Sequence, residues 1–308
     1  MELSKFIGCL IGTATGDSLG AQREGFFDFL EVRDIGSRYT DDTAMMIGVA
    51  ESLIEYTGFD GEHMAKRFIE NYEREPWRGY GWGPPRIFRM IKSGRKWNGM
   101  LDREIYPGGS FGNGAAMRIA PIGLFYCDDP ERLRTVAYQS SRITHSHELA
   151  MEGAALEAYA DALAVNLKPS NLNKYEFLRE LKKFVKLKPY QDRLEAIESL
   201  LDKNPKRDEV IKKLGNSIEA FNSVPAAIYS FLSNYDFESS VVYAVSLGGD
   251  ADTIGAMTGA IAGACYGVEG IPWRWKDRLE NREYLEKLAE KIWEIKRRLN
   301  INEGNGIE

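Results

Sequence analysis

Apolar residues recur along this chain at a helical period almost throughout, and the alternation expected of strands is scarce. Behind the acidic stretch Thr40-Asp41-Asp42-Thr43, the residues Met46, Val49, Ala50, Leu53 and Ile54 follow the i, i+3, i+4, i+7, i+8 spacing of a helix that buries one face. Thr40 is placed to cap that helix. The same period recurs from Met64 to Tyr72, His147 to Val165, Tyr175 to Val185 and Leu285 to Leu299. Together these segments predict an all-α fold. Pro and Gly punctuate it at 79–85, 107–109 and 270–272. No stretch is long and polar enough to link two domains, so the expectation is one compact multi-helix domain over 1–308, with 302–308 a fraying tail. The segment 168–214 carries the densest charge and reads as peripheral helices with solvated faces.

Glycine adds a second pattern. Gly8, Gly12, Gly16 and Gly20 recur every fourth residue, and so do Gly255, Gly259 and Gly263. Glycine costs a helix about 1 kcal/mol per residue relative to alanine. Two bare stripes therefore predict two innermost helices in very close contact.

At 308 residues, 44% hydrophobic and 28% charged, the chain can bury a sizeable core. A net charge of −6 argues against general affinity for nucleic acid or anionic membranes. The longest uncharged run near the C-terminus, 253–268, is shorter than the roughly 20 apolar residues of a spanning helix. The three cysteines are far apart with no CxxC pair, which suggests neither disulfides nor a thiolate zinc site and fits a reducing, cytoplasmic setting.

Two acidic clusters carry the chemistry: Thr40-Asp41-Asp42-Thr43, and Gly248-Gly249-Asp250-Ala251-Asp252-Thr253. Either one alone reads as carboxylates favoured by a helix dipole. Both open buried helices and both end in Thr, which points to two halves of one metal site. Clustered carboxylates raise one another's pKa unless a cation neutralises them, and oxygen donors of this kind suit Mg²⁺ or Mn²⁺.

A glycine-rich stretch, 108–114, leads into Ala115-Ala116-Met117-Arg118, read as helical, and offers backbone N–H groups to a phosphate or diphosphate. Phe111 within it offers a face to a base or sugar. It has neither P-loop nor dinucleotide register. In Thr144-His145-Ser146-His147, the HExxH pattern is absent, so His145 reads as a ligand contact or helix-entry residue and His147 as structural. Asp17 reads as a brace for a neighbouring helix start. From composition alone, Glu24 reads as an exposed surface carboxylate.

Taken together, these motifs resemble the ADP-ribosylglycohydrolase family, which includes the dinitrogenase-reductase-activating and ADP-ribosylarginine and ADP-ribosylserine hydrolases. The likeness runs through 8–24, 39–43, 79–83, 108–121, 144–145, 223–232 and 246–267, in the family's order. The resemblance implies a single-domain all-α fold with two divalent cations, Mg²⁺ or Mn²⁺, in a cleft. Carried over by position, it implies Thr40, Asp41, Asp42, Asp250, Asp252 and Thr253 as metal ligands. Gly109, Ser110, Phe111, Gly112 and Asn113 would hold the diphosphate and distal ribose, with His145 a further substrate contact. Glu24 matches the mobile catalytic or gating Glu of the family's serine-linkage members, and Asp41 and Asp42 are catalytic candidates beside it. Asn216 and Ile218 match adenosine contacts more loosely, and Trp82 is bulkier than its counterpart in some relatives. The expected partner is an ADP-ribosylated protein or ADP-ribosyl small molecule, and the expected state a monomer. The expected activity is metal-dependent cleavage at the anomeric carbon of the distal ribose. The other readings are a catalytically silent ADP-ribose-binding relative and a two-metal phosphoesterase acting on the diphosphate.

Overall fold

The structure, a computed structural model, describes residues 1–36, 38–203 and 205–304. Its helices are α1 Leu3–Gly20, α2 Asp41–Tyr56, α3 Gly61–Arg74, α4 Pro84–Lys92 and α5 Ala120–Phe125. Next come α6 Pro130–Ser141, α7 Glu148–Asn166, α8 Lys174–Phe184, α9 Lys188–Leu201 and α10 Arg207–Leu214. The last are α11 Ala220–Leu232, α12 Phe237–Ser246, α13 Ala251–Tyr266, α14 Trp273–Lys276 and α15 Arg282–Gly304. Among the described residues there is no strand, only an isolated antiparallel bridge between Gly112 and Glu219. All of this packs as one compact all-α domain, as the apolar period predicts. Residues 302–304 continue α15, and 305–308 of the expected tail lie outside the described residues. No helix among the described residues is long and apolar enough to cross a membrane.

α1 and α13 form the centre, each buried around nearly its whole circumference. They run antiparallel with their glycine stripes in register. A Cβ on Gly12 would overlap the carbonyl oxygen of Gly259, one on Gly16 that of Gly255, one on Gly8 that of Gly263, and one on Gly20 that of Ala251. The stripes thus let two backbones touch where any side chain would hold them apart. Because the helices are antiparallel, the C-terminal end of α1, carrying Asp17, meets the start of α13, carrying Asp252. Glycine packing in the core thereby sets the position of one acidic cluster.

α7 lies beside this pair and buries two carboxylates one turn apart, Glu157 and Asp161. All four of their oxygens lack a hydrogen-bond partner, and Cys9 of α1 stands close enough to feel both charges. Burial pushes both carboxyls well above their ordinary range, with Asp161 adding to the effect on Glu157. A carboxyl whose folded pKa is raised stabilises the fold below its unfolded pKa and loses that contribution as pH rises toward the folded value. Glu157→Met is therefore expected to raise stability by about 1–3 kcal/mol at pH 8, with a smaller gain at pH 4. Urea unfolding at the two pH values measures this, and an equal or negative change at pH 8 would show that the carboxyl is satisfied.

Candidate metal centre and substrate cleft

Asp17 organises the start of α2. Its carboxylate accepts from Thr40 N–H at 2.9 Å, from Thr43 N–H at 3.1 Å and from the Thr43 hydroxyl. Thr40 is the N-cap, and its hydroxyl accepts from Asp42 N–H at 3.3 Å. Asp41 and Asp42 then fall in the first helical turn. The start of α13 is set by Gly248 and Gly249, whose φ values of +67° and +69° favour glycine. Here Gly249 N–H donates to Phe26 C=O at 2.8 Å, and Gly25 N–H donates to Gly249 C=O at 2.8 Å. That reciprocal clamp brings the segment carrying Glu24 onto the second cluster.

Both clusters face one cavity of about 230 Å³. Glu24, Thr40, Asp41, Asp42, Asp250, Asp252 and Thr253 line it, together with Ser110, Gly112, Asn113 and His145. Carboxylate oxygens of Glu24, Asp250 and Asp252 lie within 4.8 Å of one another, so these three can hold a metal ion. Asp42 Oδ2 is buried without a hydrogen-bond partner. Burial raises Asp250 to about 6, with the Glu24 charge adding to it. Burial and then the Asp17 charge raise Asp41 to about 7. Asp42 and Asp252 are pushed well above the carboxylate range by burial and then by neighbouring aspartates, chiefly Asp252 for Asp42 and Asp250 for Asp252. A crowd of buried oxygen donors with one orphaned atom fits a hard divalent cation, which would reverse those shifts.

The sequence model of the ADP-ribosylglycohydrolase family matches residues 2–300. The chain belongs to that family. ADP-ribosylhydrolase ARH3 of Bos taurus is 36% identical over 352 residues, covering 96% of this chain and 93% of that protein. A more distant relative, ADP-ribosylarginine hydrolase Tri1 of Serratia proteamaculans, is 28% identical and covers 95% of this chain and 80% of its own length. A solved ADP-ribosylglycohydrolase-related protein complex superposes with a TM-score of 0.77 at 29% identity, covering 96% of this chain and 98% of its own. The chain is thus an ADP-ribosylglycohydrolase, an enzyme of ADP-ribosyl hydrolysis.

In this ADP-ribosylglycohydrolase, the glycine-rich segment departs from the expected loop-to-helix geometry. Asn113–Ala115 is a short 3₁₀ turn, and α5 begins only at Ala120, with Pro121 in its first turn. A helical start at Ala115 is therefore corrected: glycine at 112 and 114 disfavours it, and the chain instead pairs with the start of α11. Asn113 N–H donates to Ile218 C=O at 2.9 Å, and Ala220 N–H to Phe111 C=O at 3.1 Å. Gly109 sits behind the cavity wall against Ser146, and Phe111, 43% exposed, lies edge-on to His147. Neither lines the cavity, whereas Ser110, Gly112 and Asn113 do. The Asn113 amide donates to Asp250 and, at 3.0 Å, to the Ser223 hydroxyl, tying this segment to the second cluster.

His145 faces the cavity, and burial, followed by the charge of Arg118, lowers its pKa to about 3, so the ring is neutral. His147 caps α7, accepting from Leu149 N–H at 3.1 Å. The Asn216 amide is spent on Leu247 C=O at 2.9 Å, while Ile218 is exposed at the rim. Beside Gly81 and Pro84 the wall is Tyr106, and Trp82 packs edge-on against it with ring centroids 4.9 Å apart.

Two residues escape sequence reasoning. Asp102, fully buried, accepts from Ser110 N–H at 2.8 Å and Ser146 N–H at 2.7 Å, bracketing the glycine-rich segment to the His145 segment. Arg118, also fully buried, donates to Ser140 C=O at 3.2 Å and lies over the Phe68 ring. Burial lowers it to about 9 against the opposing charge of Asp41. Its signal in the sequence is a lone cation within the apolar run 115–126. Nothing local marks Asp102.

Proposed function

We propose that this enzyme releases ADP-ribose from a modified protein side chain, or a related ADP-ribosyl conjugate, by hydrolysis at the anomeric carbon of the distal ribose. The observation that carries this reading is the convergence of both acidic helix starts, the glycine-rich segment and a neutral histidine on one cavity. Thr40, Asp41, Asp42, Asp250, Asp252 and Thr253 would hold two divalent cations, Mg²⁺ or Mn²⁺. Glu24 stands beside them at the mouth, its carboxylate lying with those of Asp250 and Asp252. When bound, such ions supply positive charge that orients ribose hydroxyls and makes water more acidic.

The chain's own residues do the rest. Ser110, Gly112 and Asn113 receive the diphosphate and distal ribose, with Phe111 offering a ring at the edge. Neutral His145 orients the ligand by hydrogen bonding without adding charge beside an anion. Glu24, exposed at the mouth, is the group free to take the proton of an attacking water. The enzyme acts as a monomer. Its three buried thiols suit the reducing cytoplasm.

Incubation with Arg-linked and Ser-linked ADP-ribosyl peptides in Mg²⁺, followed by mass spectrometry, tests the reading. Intact ADP-ribose with restored side chain is expected from at least one peptide. AMP with ribose phosphate would instead indicate attack on the diphosphate, and unchanged peptides a silent binder.

A further inference from the structure

Four of the exposed large apolar residues fall within one five-residue stretch: Phe26, Phe27, Phe29 and Leu30, at 54%, 70%, 37% and 54% exposure. The usual arrangement is inverted there, because the charged residues around them are tied to the protein. Asp28 pairs with Arg23, and Glu31 pairs with Arg33 and Arg207. The stretch is pinned at both ends. At one end is the Gly25–Gly249–Phe26 backbone clamp, and at the other Trp275 Nε1–H donates to Arg33 C=O at 2.7 Å. Phe29 holds φ at +47°, a region that aromatic residues rarely adopt. A clustered apolar face, held outward by paired charges and a strained backbone, marks an interaction surface rather than chance exposure.

We propose that this face docks the polypeptide that carries the ADP-ribosyl group, through apolar residues flanking the modified one. The inference rests on the hydrolase reading above and adds the surface that holds the polypeptide around its modified side chain. Its basis is continuity with the cleft. Glu24 stands with Asp250 and Asp252 where the bond to the leaving side chain would break, and the chain runs outward from Glu24 directly into Phe26 and Phe27. At about 3.3–3.6 Å per residue, that face begins within roughly 7–11 Å of Glu24. One to three residues on either side of a modified side chain span the same distance. A small conjugate has no group that reaches it.

The test uses the triple variant Phe27→Ser/Phe29→Ser/Leu30→Ser, which leaves Glu24 and the Phe26 clamp in place. Three substrates are compared: an ADP-ribosyl peptide with Leu and Val flanks, the same peptide with Ser and Asn flanks, and an ADP-ribosyl conjugate of a small alcohol or amine. The unmodified protein is expected to show a lower KM for the apolar-flanked peptide. The variant is expected to raise that KM about tenfold or more while kcat, the small conjugate and calorimetric ADP-ribose affinity stay unchanged. Equal losses on peptide and small conjugate would make the stretch part of the site itself and overturn the proposal. So would no loss on either, or a dimer in sedimentation that the variant dissolves. If the unmodified protein hydrolyses no substrate, the hydrolase reading fails separately. Fluorescence anisotropy with the unmodified apolar-flanked peptide then decides the docking claim, with binding lost in the variant supporting it and no difference overturning it.

Discussion

Asp42→Asn and Asp252→Asn are each expected to lower metal-dependent turnover by on the order of 10³-fold or more, and the double variant by little further. The two residues start different helices far apart in sequence, yet the Asp252 charge adds to the raised pKa of Asp42, and both face the same cavity. Asparagine keeps the shape and removes the charge, so the fold is retained while cation affinity collapses. Groups that act as one unit lose their function once, whichever member is removed. Steady-state kinetics at saturating Mg²⁺ on the four proteins measures this. Losses that multiply would mean two independent sites.

The largest expected effect on stability comes from Gly16→Val. A Cβ there would overlap the backbone of Gly255 and Ala256 in α13. Rigid backbone cannot yield as a side-chain tip can, so the helices must separate along their contact. A loss beyond about 4 kcal/mol is expected, enough to leave a domain of ordinary stability largely unfolded. Gly81→Ala is the control: nothing stands within 4 Å of its added Cβ, and a change within about 0.5 kcal/mol is expected. Circular dichroism with urea unfolding measures both. A Gly16→Val protein of undiminished stability would show that the close α1–α13 contact does not bear on the fold.

The legible parts of this molecule are those written in local periodicity. The i, i+4 glycine stripes announce close packing, because a helix tolerates so many glycines only where contact repays them. They lie opposite each other in register. Thr40 before Asp-Asp reads as a cap and is one, and Asp17 braces that same start through Thr40 and Thr43. What escapes is set by distant partners. Asp102 matters because its carboxylate meets Ser110 and Ser146, a juxtaposition no spacing in the chain encodes. Glu157 and Asp161 sit at i, i+4 like any solvated helix pair, and only packing against α1 and α5 buries them. Gly112–Gly114 reads as a loop entering a helix, yet its pairing with 218–220 holds it as a 3₁₀ turn.

Glu24 shows how far composition reaches. It is exposed, as a surface carboxylate would be, yet the backbone clamp through Gly249 carries it to Asp250 and Asp252. Exposure and closeness to the acidic cluster coincide here because the cleft opens at that point, so burial alone does not separate the two readings.

Calorimetric titration with Mn²⁺ tests the central claim most directly, using the unmodified protein, Asp42→Asn and Asp252→Asn at pH 7.5. If the two acidic helix starts form one centre, the unmodified protein binds Mn²⁺ and each variant loses that binding. Retention of full Mn²⁺ binding in either variant, or no binding by the unmodified protein, would contradict it.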